Sequence, residues 1–418
     1  MKNIKQYFLI ICMGLLPMVS SAQQVMTDSN WVDEVKSVFL ERSGIPLEAP
    51  ILTLGVEDQL LLSFDILDPE EARYRYRIQH CDAEWHIDEM EPYEFINGFE
   101  ESGIENSQSS FTTWVPYVHY WQQIPGNYNR LLISGNYIVS VFPESEPDNI
   151  LLTRRFRVSE EIVDIEMSVT RPTNGMLTEE NQEVNLSIEM KDKTYINNAP
   201  QNLKVYVQQN QRSDLLRQLP FHSYSSNSVS YRWTEDNIFP GGNTFRYFDI
   251  SNIHTAMYNV QKIEQYGGET FAILRPEEIR SSKPFSTNQT LNGGMKINIW
   301  DRHDPRIEAD YIWVNFSLPI QQPYLNGNIY IVGDLTQWRL DEKSRMEWKP
   351  EYNAYSKRLY LKQGYYSYLL IFLPTGGKEG ETRVLEGDHC VTPNNYSAFI
   401  YYRPLGERYD RLIGALKR

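Results

Sequence analysis

The chain has 418 residues and a formal charge of −15, with 40 Lys and Arg against 55 Asp and Glu. That balance argues against nucleic acid and anionic lipid as partners, since both select Lys/Arg-rich surfaces. Length alone predicts two to four domains.

Lys2 and Lys5, the apolar run 8–16 and the small residues Ser20, Ser21 and Ala22 predict a signal peptide over residues 1–22, so that the mature chain begins at Gln23. The run is too short to span a membrane, and no later stretch is long and apolar enough to do so. Export of a soluble protein is therefore expected. Without Cys12, which lies in the signal, Cys81 and Cys390 are the cysteines left, too few for a disulfide scaffold. Whether those two pair is open at this level.

Residues 31–40 place Trp31, Val35, Val38 and Phe39 at helical spacing, but suit a leading strand equally well. Period-two alternation then predicts strands over 60–66, 73–78, 136–142 and 151–158. The second of these sets arginines on one face and Tyr74, Tyr76 and Ile78 on the other. Boundaries are expected near 159–161 and 301–305. The resulting division is 23–160, 161–305 and 306–418, three consecutive immunoglobulin-like, E-set-like β-sandwich domains in an all-β chain.

No catalytic constellation stands out. A nucleophile elbow, a Ser-x-x-Lys pair and a phosphate-binding loop are all missing. His80, Asp82 and His86 would share a strand face as metal ligands, but a turn explains them more simply, and Asp388, His389 and Cys390 form a similar small cluster. Neither an enzyme nor a metal or cofactor site is expected.

Residues 329–338, followed by Gly364-Tyr365-Tyr366-Ser367-Tyr368, resemble the starch- and glycogen-binding β-sandwich modules. That resemblance makes Trp338 a candidate sugar contact, and periplasmic glycan binding by the last domain the alternative function. The second stacking ring of those modules has no match at 373–377, where Leu, Pro, Thr and two glycines stand.

A more specific likeness covers the mature chain. Leu62-Ser63-Phe64-Asp65, His80-Cys81-Asp82-Ala83-Glu84-Trp85, Tyr117-Val118-His119-Tyr120 and Ser134-Gly135-Asn136-Tyr137 fall in order in the first domain. Tyr401-Tyr402-Arg403-Pro404 and Arg408 to Gly414 close the chain. In these elements it resembles the plug proteins of the type IX secretion system. The resemblance implies a periplasmic protein, peripheral to the outer membrane, that binds a very large β-barrel translocon and closes its periplasmic mouth. His80, Cys81, Trp85, Tyr117, His119 and Tyr120 are its candidate partner-binding residues, with packing as the simpler role for each.

Overall fold

Alternation in the strand Leu60–Ile66 turns Leu60, Leu62 and Phe64 into a core and leaves Leu61, Ser63 and Asp65 on the opposite face. The computed structural model describes residues 25–173, 178–191, 196–225 and 227–417, and the expected signal lies outside them. In the first sandwich one antiparallel sheet runs Val35–Arg42, Leu60–Ile66, Val118–Ile124, Asn106–Ser109. The facing sheet runs Ser29–Asn30, Leu152–Ser159, Gly135–Pro143, Tyr74–Cys81, Glu101–Gly103. Tyr76, Ile78, Tyr137, Val139 and Phe156 meet Leu60, Leu62 and Phe64 between the sheets. The ambiguous leading segment is a strand over Val35–Arg42, broken by a bulge at 36–39 where Ser37 takes a positive φ of 47°.

The second sandwich opens with Val163–Thr170 and Asn181–Met190. Its other sheet runs Leu216–Leu219, Leu203–Gln209, Tyr396–Tyr402, Arg411–Lys417. Val205 and Val207 therefore share a core with Ile400 and Ile413. The third sandwich fills the connection between these halves. Its sheets centre on Gly364–Pro374 and on Tyr311–Pro319 paired with Ala354–Lys362. Met295 and Ile312 lie in its one core, so the boundary expected near 301–305 falls inside a core rather than between two. The polar run there crosses the surface of one sandwich, with the His303 and Asp304 amides donating to the Glu308 carboxylate.

These elements agree with the all-β reading: sheets pack face to face, with short helices only at turns. No helix among the described residues is long and apolar enough to cross a membrane.

Candidate partner interface: two buried joints and a cleft

The motifs of the first domain converge on two joints between sandwiches. Along Val118–Ile124, Val118 and Tyr120 point into the first core, so His119 and Trp121 face outward. His119 lies opposite Asp65 in the register, and its Nδ1 is 2.7 Å from Asp65 Oδ1. The other carboxylate oxygen, Oδ2, accepts from Tyr311 Oη and from Lys362 Nζ of the third sandwich, each at 2.6 Å. Lys362 Nζ also donates to the Arg306 carbonyl at 2.6 Å and sits 4.2 Å from the centre of the Tyr117 ring. Tyr117 Oη donates to the Ala309 carbonyl at 2.9 Å, and its ring meets Tyr311 edge-on.

Asp65 and Lys362 are almost wholly buried. Burial by itself would push the Asp65 carboxyl up, but the Lys362 ammonium and the bond to His119 hold it below its ordinary value. Burial lowers the Lys362 ammonium, with Asp65 opposing. A buried charge pair of this kind is tolerable only when its remaining lone pairs and protons are bonded, as they are here.

The second joint is made by the His80–Trp85 segment and the end of the chain. His80 Nδ1 bonds the Asp88 carboxylate, and its ring stands edge-on to Tyr137 and Tyr409. Ala83 N donates to Asp410 Oδ2 at 3.0 Å. Glu84 accepts from Tyr206 Oη at 2.8 Å and from Lys204 Nζ at 3.0 Å. Trp85 lies under the Arg155 and Arg157 guanidinium groups, each 4.8 Å from the ring. Arg157 also covers Phe399 at 3.6 Å, so one guanidinium is layered between two sandwiches. Asn136 donates through Nδ2 to the Asp82 carbonyl and accepts through Oδ1 from Tyr401 Oη at 2.6 Å.

Gly135 explains why its motif carries a glycine. Its φ is +137°, and an added Cβ would come within 2.4 Å of His80 Nε2. We expect Gly135→Ala to lower stability by about 1–3 kcal/mol, from overpacking on a ring that cannot move. Chemical denaturation of the purified protein checks this, and an unchanged midpoint would refute the account of this joint.

All six candidate partner-binding residues are thus buried within the chain. Tyr117 and His119 build the first joint, and His80 and Trp85 the second. Tyr120 belongs to neither: it stacks on Phe64 inside the first core, and its hydroxyl accepts from Ala72 N. Cys81 is fully buried, and desolvation pushes its thiol up. Cys81 and Cys390 are both free thiols, which answers the pairing question left open by the sequence. His86 bonds Asp82 while His80 bonds Asp88. Asp388 Oδ1 accepts from Gly242 N at 3.0 Å, within a loop network.

Trp338 is 7% exposed. Its indole Nε1 donates to Asp334 Oδ1 at 2.7 Å, Phe245 meets the ring edge-on, and Gly293 lies against its far edge. No ring face is open for a sugar to stack on. Asn394 bonds Asn210, Gln182 and the Gly241 carbonyl.

Above the first joint the outer face of the first sandwich and the third sandwich enclose a cleft of about 970 Å³. Phe39, Leu61, Ser63 and Trp121 line one wall and Met295 and Ile297 the other, with Asp65, His119 and Lys362 at its base. Sequence reading did not find this cleft or the Asp65–Lys362 pair, because their parts come from opposite ends of the chain.

Residues 35–160 match the family model for the first domain of the type 9 secretion system plug protein. No protein with a curated description matches the chain. A crystal structure of a hypothetical protein from Parabacteroides merdae superimposes with a TM-score of 0.92 at 32% identity, covering 95% of this chain and all of that one. The matched residues are the sandwich whose motifs form one side of both joints; over them the chain carries the first domain of the type 9 secretion system plug protein family.

Proposed function

We propose that this protein is a non-enzymatic, periplasmic component of the type IX system that closes the periplasmic end of the outer-membrane barrel through which cargo leaves. The observation that carries the reading is that the family-matched sandwich is locked to both others through buried polar joints. We treat the chain as three sandwiches, the third inserted into the second, that move together. A body of this kind can cover a wide opening, whereas flexibly tethered sandwiches would leave gaps. A bound partner of this size would be held by a standard interface of roughly 1,200–2,000 Å².

The test is co-purification. Tagged protein added to a detergent extract of outer membranes should bring down one very large barrel, and the same extract from cells lacking the barrel should yield nothing comparable. Failure to retain the barrel at low salt would end this reading. Glycan binding through Trp338 has no observation in its favour, since the ring is enclosed.

A further inference from the structure

The first sandwich carries one element that belongs to neither of its sheets. Ile96–Asn97 pairs with Arg130–Leu131 as a separate two-stranded ribbon, preceded by the single helical turn Pro92–Phe95. Phe95, Ile96 and Leu131 are buried in the first core, so the ribbon is anchored from below. Leu132 N donates to the Phe95 carbonyl at 2.9 Å, and Phe99 N to Asn129 Oδ1 at 2.9 Å. Gly98 has a φ of +124°, and a Cβ there would stand 2.6 Å from the Tyr128 carbonyl, so the two chains are tightly apposed.

What the ribbon presents outward is aromatic. Tyr93 is 75% exposed, Phe99 71% and Tyr128 89%, and Arg130 on the ribbon is exposed as well. The three rings lie on or beside the anchored turn and ribbon, so little backbone freedom is lost on docking. Tyr and Arg are the residue types that dominate binding energy when an interface desolvates them.

The surround is acidic. Glu89 and Glu91 are exposed, and Glu100 and Glu101 share one guanidinium, Arg77, at 4.0 and 2.5 Å. Burial, then the neighbouring Glu101 and Glu91 carboxylates, hold the Glu100 carboxyl above its ordinary value. Glu89, Glu91, Glu94, Glu100 and Glu101 thus outnumber the basic groups there, Arg77, Arg130 and the Arg408 that pairs with Glu94. This surround complements a partner with Lys or Arg at its rim, and it disfavours an anionic membrane surface.

We infer that this ribbon, with Tyr93, Phe99 and Tyr128 as anchors inside an acidic rim, is the surface that docks on a cationic rim of the translocon barrel. The assignment rests on the plug reading and names the face that performs it. Neither joint uses these rings, so the ribbon is available while the three sandwiches stay locked.

The experiment adds purified protein to detergent-solubilised translocon and measures retention at two salt concentrations. Wild type is compared with the triple variant Tyr93→Ser/Phe99→Ser/Tyr128→Ser, and with Tyr266→Ser/Tyr352→Ser, which removes exposed rings from the third sandwich instead. Loss of three anchors should weaken retention at least about tenfold, while the control pair retains wild-type binding. Raising salt should weaken wild-type retention, and Glu89→Lys/Glu100→Lys should weaken it at low salt. Circular dichroism and the thermal midpoint confirm that each variant is folded. Equal retention by a folded triple variant, or wild-type retention indifferent to salt, overturns the assignment. So does binding of wild type but not the triple variant to phosphatidylcholine vesicles, which would give the ribbon to lipid. If wild type itself fails to retain the translocon, the plug reading falls and this assignment with it.

Discussion

Cells lacking this protein are expected to keep an assembled translocon but to admit large antibiotics and dyes that intact cells exclude. A pore wide enough for folded cargo is a hole in the outer membrane unless something blocks it. A soluble protein can block it reversibly only through an interface that is large but not obligate. Most of that contact area excludes water, and a few anchors supply the energy. Secretion itself should continue, because the plug has to leave before cargo passes. The decisive comparison is the double deletion: removing the barrel as well should abolish the leak. Unchanged dye uptake in the single mutant, or uptake that persists without the barrel, would contradict the proposed function.

The second large effect concerns the joint between the first and third sandwiches. Lys362→Met leaves the Asp65 carboxylate buried with only hydrogen-bond donors for company. Breaking a buried pair by removing one partner typically costs about 3–5 kcal/mol, enough to open the joint far more often. Hydrogen exchange at Trp114 and Phe111, whose backbone amides bond Asp310 and the Ile307 carbonyl across the seam, should accelerate accordingly. Replacing both partners, as Asp65→Leu/Lys362→Met, should restore much of the protection, because no uncompensated charge remains. Exchange at these amides that does not respond to Lys362→Met would show that the pair does not hold the joint.

The same pair sets a pH dependence. Asp65 has its folded value below the ordinary 3.8, so its contribution is complete above that value. It is lost as pH falls from there through the folded value. The joint should therefore loosen in strong acid.

Much of the local structure was readable beforehand. The alternation of Tyr74, Tyr76 and Ile78 with arginines marked a strand with a core face, and the strand Tyr74–Cys81 has it. Parity along 118–124 also gives His119 and Tyr120 opposite faces. The ribbon escaped notice although a signal existed. Tyr93 is followed by an acid in Glu-Pro-Tyr-Glu, and Phe99 stands between a glycine and two glutamates, which is no pattern for a core ring.

What the sequence by itself determined is the class of structure and the family: side-chain alternation is a property of neighbouring residues, and the motif words are contiguous. What only the tertiary structure decided is where those words act. Asp65 meets Lys362 across 297 residues, and Leu203–Gln209 takes its partner from Tyr396–Tyr402. Nothing within either partner encodes the other, because both ends of such a contact look locally like ordinary polar or β-branched positions. The strand pairing closes the core of the second sandwich, and the Asp65–Lys362 contact is set by which faces remain to be covered once each sandwich has closed its own core. That remainder turned the motif residues His80, Trp85, Tyr117 and His119 into joints inside the molecule, and left Tyr93, Phe99 and Tyr128 facing out.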